Sequence, residues 1–253
     1  MGDAPAARAA ARKTGMVIQS VLRGWVNFNS SKPSAPEASL GKSTNALRLA
    51  VALGAAAVLL VLCRIGGMEI PKPMEFDLRF DPADGHLSRV ASGDNTAYAD
   101  SIAAQNHATD TSREAIRQLI PLANETGVVI ALENLWNNLW VKPAILSQYV
   151  GSFASPLVGA HFDIGNHVKY APTEAWIYTP GPLICRCHVK GVKLGRDPEG
   201  GGSFLNIREG NVHWPEAPAA LNEMGYNERM TIEGGNCSLE EHSRPLDLIL
   251  TGQ

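Results

Sequence analysis

The stretch that most constrains this chain runs from Val128 to Asn134, VVIALEN, in which five apolar residues lead into a carboxylate, Glu133. A continuous apolar run of that length suits a strand buried on both faces, as in a parallel sheet covered by helices. In such folds ligands bind where parallel strands stop, so Glu133 stands where chemistry is done. Three later stretches repeat the design. VGAHFDIGN ends near Asp163, ICRCHVKG near His188 and RMTIEGG near Glu233, each a short apolar run delivering one side chain able to bind a metal. The four are spaced by 30, 25 and 45 residues in turn. Strand–helix units of about 30 or more residues would set them on neighbouring strand ends, converging at one mouth.

With 253 residues, 45% of them hydrophobic, the chain can bury a full core as a single domain over residues 1–253. A net charge of −3 leaves no broad basic surface for nucleic acid. Cys63, Cys185, Cys187 and Cys237 are too few for a disulfide framework, and Cys185 and Cys187, two apart on one strand, would share a face. A reduced, cytoplasmic setting fits them. The start, MGDAPAARAAARKTG, has basic residues but no apolar segment of a secretory signal after them. Ala46–Cys63 approaches the length of a membrane span, but Arg48 lies inside it and Gly54 interrupts it. It reads as a helix, Gly54 as the C-cap, and then a buried strand over Ala57–Cys63; no membrane partner is expected.

In chain order, residues 3–14 are helical and Met16–Val21 is the first strand. Asn27–Ser43, rich in Ser and Pro, reads as a loop, with Ser43 or Thr44 capping the helix that follows. Residues 68–109 lose both periodicities and are expected to form an inserted hairpin and lid loop, turning at Asp84-Gly85. Thr111 and Glu114 read as a capping signal for a helix over Ala115–Asn124. Behind the acid, Trp136 and Trp140 are four apart, which fits either one face of a helical turn or a wall for substrate stacking. Strands follow at Val158–Asp163 and Leu183–Val189, a short helix around Trp176 between them, then a helix at Trp214–Met224 and a strand at Arg229–Glu233. Ser238 and Glu241 form a capping box for the last helix. The alternation of strand and helix predicts an α/β fold with a parallel sheet.

The segments ALEN, HFDIGN, CHVKG, REGNVHWPEAPAALNEMGY and TIEGG, in that order, resemble the xylose isomerase-like barrel family of sugar and sugar-phosphate isomerases and epimerases. The resemblance covers Met16 to the C-terminus and implies a TIM-barrel-like (β/α) fold. It also implies that Glu133, Asp163, His188 and Glu233 hold one divalent metal, with Glu133 and Glu233 as the acid and base on either side of the substrate carbon. Asn166 and His167 stand where that family has a substrate-binding histidine, the aligned residue here being Asn166. Counted back from Glu233 as the eighth strand, Met16–Val21 becomes the third, so the first two βα units are expected to be missing. Edge strands would then lack neighbours, and self-association as a homo-oligomer through those edges is expected.

The chemistry of the donors stands beside the resemblance. Three carboxylates and one imidazole suit Mn²⁺, Mg²⁺ or Co²⁺ rather than structural zinc. A cation at a ketose carbonyl would stabilise an enediolate, and two acids on opposite faces would remove and return the proton. Lys190, Lys193, Arg196 and Arg208, with Arg64 after the second strand, offer charge for a substrate phosphate, and Trp136 offers a stacking wall. Taken singly, each acid also fits a helix cap or ion pair, and His188 fits a core position. Two other readings stay open: a non-catalytic truncated barrel remnant, and an abasic-site endonuclease-like phosphodiesterase, which would need more histidines and a positive surface.

Overall fold

A computed structural model describes residues 3–195, 201–234 and 238–252; Arg196 and Cys237 fall outside these. The elements in order are α1 (Ala4–Thr14), β1 (Ser20–Val26), α2 (Ser34–Leu53), β2 (Ala57–Leu62), β3 (Phe76–Phe80), β4 (Leu87–Ala91), α3 (Ala99–Thr126) and β5 (Val129–Glu133). They continue with α4 (Pro143–Gly151), β6 (Val158–Asp163), α5 (Ile164–His167), α6 (Thr173–Tyr178), β7 (Ile184–Val189), β8 (Gly191–Leu194), β9 (Gly202–Leu205), α7 (Glu216–Glu223), β10 (Met230–Ile232) and α8 (Leu239–Leu250).

Six strands form one parallel sheet in the order β1-β2-β5-β6-β7-β10, so the sheet is an open part-barrel with β1 and β10 at its ends. Every residue of β2 and β6 is buried, as continuous apolar runs between helices and lumen demand. Gly54 ends α2 at φ 76°, donating its N–H back into the last turn, and the chain enters β2 three residues later. No helix among the described residues is long and apolar enough to cross a membrane.

Several local expectations are corrected. The first strand is Ser20–Val26, not Met16–Val21: Met16 and Val17 stay exposed, and pairing starts only where Ser20 meets Ala57. Leu22, Arg23 and Gly24 hid the strand because the ladder is irregular there, with Gly24 at φ 70°. The expected loop over Asn27–Ser43 is helical from Ser34. Its serines are absorbed by the backbone, with Ser39 Oγ accepting from the Asn27 N–H and Ser43 Oγ donating to the Ser39 carbonyl. Likewise α3 starts at Ala99 rather than Ala115, so Thr111–Glu114 is helix interior and caps nothing. There Ser112 is buried and hydrogen-bonded to the Tyr149 hydroxyl at 2.7 Å.

Within residues 68–109 the antiparallel pair β3–β4 turns through Asp81–Gly85. It is tied to α3 rather than free: Asn106 bonds both backbone groups of Leu87, and Arg113 donates to the Asp84 carbonyl. Trp136 and Trp140 are not on a helical turn, since residues 134–141 form no regular element. Trp140 adopts φ 45°, is buried and stacks on Tyr149, with ring centroids 4.0 Å apart.

One close approach positions the site. A Cβ on Gly165 would lie 2.6 Å from the Lys190 carbonyl and 2.9 Å from Val192, so α5 sits against the β7–β8 junction only because this residue lacks a side chain. Gly165→Ala is expected to cost about 1–3 kcal/mol of folding stability. The readout is the urea midpoint at unchanged slope; an unchanged midpoint would show that α5 can draw away freely.

Candidate metal and proton-transfer centre

Glu133 ends β5, Asp163 ends β6, His188 lies in β7, and Glu233 follows β10, where its N–H donates to the Val189 carbonyl. Register aligns Asp163 with His188, and His188 with Thr231. One donor atom from each of Glu133, Asp163, His188 and Glu233 lies within 4.8 Å of the others, as the strand spacing predicts. Glu133 and Asp163 are buried, whereas the Glu233 side chain is 39% exposed, so the centre opens to solvent on the Glu233 side.

Asp163 also caps α5, its Oδ1 accepting from the Asn166 N–H at 2.9 Å. That bond fixes the carboxylate and leaves Oδ2 turned to the cluster. Asp163 Oδ2, Glu233 Oε2 and His188 Nδ1 are buried and make no hydrogen bond with the backbone among the described residues. They sit within ion-pair reach of one another's partners instead: Lys190 Nζ is 3.0 Å from Asp163 Oδ2 and 2.5 Å from Glu233 Oε2, and His188 Nδ1 is 3.3 Å from Glu233 Oε2. Carboxylate and imidazole donors turned to a common centre, with their charge balanced in part by the Lys190 ammonium, fit a hard or borderline divalent cation.

Burial, then the nearby Asp163 and Glu233 charges, push the Glu133 carboxyl up to about 9. Burial pushes Asp163 up to about 6. The neighbouring His188, and then Asp163 and Lys190, hold Glu233 well below the usual carboxylate range despite partial burial. Burial opposes the Lys190 charge, but the Asp163 and Glu233 carboxylates outweigh it and raise its pKa. The two glutamates are thus pushed in opposite directions, the pattern that separates proton-transfer roles.

The other sequence-predicted residues divide. Asn166 Nδ2 lies 3.5 Å from Glu133 Oε1, and its carbonyl accepts from Trp136 Nε1 at 2.8 Å, so both border the centre. His167 turns the other way. It is buried between the rings of Phe162 and Trp176, its Nδ1 at the Asp163 carbonyl, and burial lowers it to about 4. Arg64 lies over the Trp25 ring at 4.5 Å. Lys193 and Arg208 are exposed, Arg208 at φ 72°.

Sequence reasoning missed three neighbours. His161, two residues before Asp163 and therefore on the same sheet face, is buried against His188 with ring centroids 4.1 Å apart; burial keeps it neutral, far below its ordinary value. The alternation His161-Phe162-Asp163 was the available signal. Phe204 on β9 stacks on Trp136 at 5.3 Å, with Lys190 Nζ 4.6 Å from its ring. On the far side of Trp136, Lys169 Nζ sits 4.6 Å from the ring centroid. Two aromatic rings are thus bracketed by two ammonium groups beside the carboxylates. No local sequence signal pairs them, because the contact depends on how the β8–β9 ribbon folds back.

A family model described as xylose isomerase-like TIM barrel matches residues 2–247. An uncharacterized protein of Methanocaldococcus jannaschii is 30% identical over 134 residues, 50% of this chain and 44% of that protein, so the match spans less than half of its length. Among solved structures, a D-tagatose 3-epimerase-like protein superposes with TM-score 0.72 at 18% identity, covering 99% of this chain and 82% of the other. 3-Keto-D-glucoside 4-epimerase from E. coli gives TM-score 0.70 at 14% identity, with 99% and 85% covered. A xylose isomerase-like TIM barrel protein from Mycobacterium smegmatis, solved in complex with magnesium, gives 0.63 at 19%, with 97% and 77% covered. At such identities the likeness to these structures is one of fold.

Proposed function

The chain belongs to the xylose isomerase-like TIM barrel family, and from that premise we propose that it is a divalent-metal-dependent isomerase or epimerase of a small sugar or sugar phosphate. The observation that carries this reading is the convergence of Glu133, Asp163, His188 and Glu233 within 4.8 Å. These four residues would hold the cation, Mn²⁺, Mg²⁺ or Co²⁺. When bound, it supplies positive charge against the oxygens of a substrate carbonyl and the adjacent hydroxyl. Glu133 and Glu233 stand on either side of the carbon next to that carbonyl: one takes its proton, leaving an enediolate, and the other returns a proton from the opposite face. The solvent-facing Glu233 can exchange its proton with water. Asn166 and Trp136 border the space beside Glu133 and would orient the sugar.

The reading is tested by calorimetry of Mn²⁺ into the wild-type chain and into Asp163→Asn. We expect one ion per chain in the wild type and at least about a hundredfold weaker binding in the variant, beyond the loss typical of an outer-shell change. Absence of binding to the wild type would leave a non-catalytic barrel as the better description.

A further inference from the structure

We propose that a cavity beside the same mouth receives an anionic group, phosphate or carboxylate, carried by the substrate on the end remote from the reacting carbon. The proposal rests on reading the carboxylate cluster as a sugar isomerase or epimerase centre. The cavity holds about 470 Å³ and is bounded by Glu69, Lys72, Phe76, Asn138 and Lys169, among others. Its walls come from the segments that follow β2, β5 and β6, so it opens at the strand ends that carry the centre. A volume of that order admits a phosphate with several carbons of chain.

Charge and connectivity argue for an anion. At the centre the three carboxylates already match the charge of the proposed cation and of Lys190, so an anionic tail needs a cationic seat of its own set apart from it. Lys169 and Lys72 outnumber Glu69 on the cavity wall. Lys169 is half-buried, its Nζ held over the rings of Trp136 and Tyr170 at 4.6 and 5.6 Å, and it makes no ion pair with a carboxylate among the described residues. Burying part of an ammonium group without a counter-charge is costly, and a ligand anion would supply that charge. Burial lowers its pKa accordingly. Asn138, fixed at φ 60° by its bond to the Ile65 carbonyl, adds a polar side chain to the rim. The seat and the centre share a wall: Lys169 packs on Trp136, Trp136 donates to the Asn166 carbonyl, and the Asn166 amide reaches Glu133. A sugar running past the edge of Trp136 would place its reacting carbon at Glu133 and its far end at Lys169.

The test follows exchange of substrate C–H for solvent deuterium by NMR, using matched ketoses that are neutral, carry a terminal phosphate or carry a terminal carboxylate. We expect KM for one charged series to be at least tenfold below that of the neutral sugars; which charged series it is identifies the group. Lys169→Met and the solvent-exposed Lys72→Met should each raise the charged-to-neutral KM preference against the anion severalfold. Lys72→Met guards against a folding defect. Equal KM for neutral and charged sugars, or variants that leave the preference intact, would overturn the proposal. In parallel, inorganic phosphate is titrated into the wild type and the double variant. Millimolar binding lost in the variant supports the seat even if no sugar exchanges, and no binding to the wild type counts against it. Failure of exchange on every sugar, together with no Mn²⁺ uptake, would instead sink the reading of the centre.

Discussion

Glu133→Gln is expected to lower proton exchange at the substrate carbon by about 10²–10⁴-fold. The amide keeps the shape of the side chain but can neither take up nor give a proton at the substrate carbon. Glu133 is buried at the end of β5, and burial together with the charges of Asp163 and Glu233 raises its carboxyl to about 9. A carboxyl raised that far is already neutral near pH 7, so the neutral isostere keeps its surroundings and the variant should fold about as stably as the wild type. The pair of measurements is therefore deuterium incorporation into the sugar and the melting temperature. Exchange that persists at the wild-type rate would move the base to another group. Loss of exchange together with loss of folding would show instead that Glu133 is needed for the structure.

Lys190→Met carries the largest expected effect on stability, a loss of about 3 kcal/mol, the lower end for breaking a buried ion pair. Lys190 is buried and bridges two carboxylates, Asp163 and Glu233. Asp163 is fully buried, and removing the ammonium leaves its charge facing Glu133 and Glu233 without the counter-charge of Lys190. Because Glu233 is partly solvated, its share of the loss is screened, which is why the lower figure is chosen. Urea unfolding of the variant without added metal reads the loss, and saturating Mn²⁺ should recover a large part of it by restoring positive charge. A variant as stable as the wild type would mean that the bridge contributes nothing net.

Features that depend on a few neighbouring residues were legible in the sequence. VVIALEN and VGAHFD are strands because a run of apolar residues can be buried on both faces only there, and their terminal acids come along by adjacency. Gly54 stops α2 through its left-handed φ, and the Ser238–Glu241 capping box forms as the pattern predicts. The segments that misled were polar ones whose hydrogen bonds are met elsewhere. Ser39 and Ser43 look like loop residues until the helix backbone and Asn27 absorb them, and Thr111 looks like a cap until α3 runs through it and its hydroxyl donates to the His107 carbonyl.

Legible in the residues alone were the strands that end at or beside the four donors, the order of those donors and, with it, the barrel-type fold. The tertiary structure decided which side chains share the centre. Alternation along β6 places His161 with Asp163, the close packing at Gly165 fixes α5, and the turn of α5 sends Asn166 toward Glu133 and His167 into the core. It also decided that Lys190 bridges two carboxylates and that Trp136 lies between Phe204 and Lys169. The physical reason is range. Burial of an apolar run is a property of consecutive residues, whereas an ion pair or a ring stack is set by strand register and loop closure between distant ones.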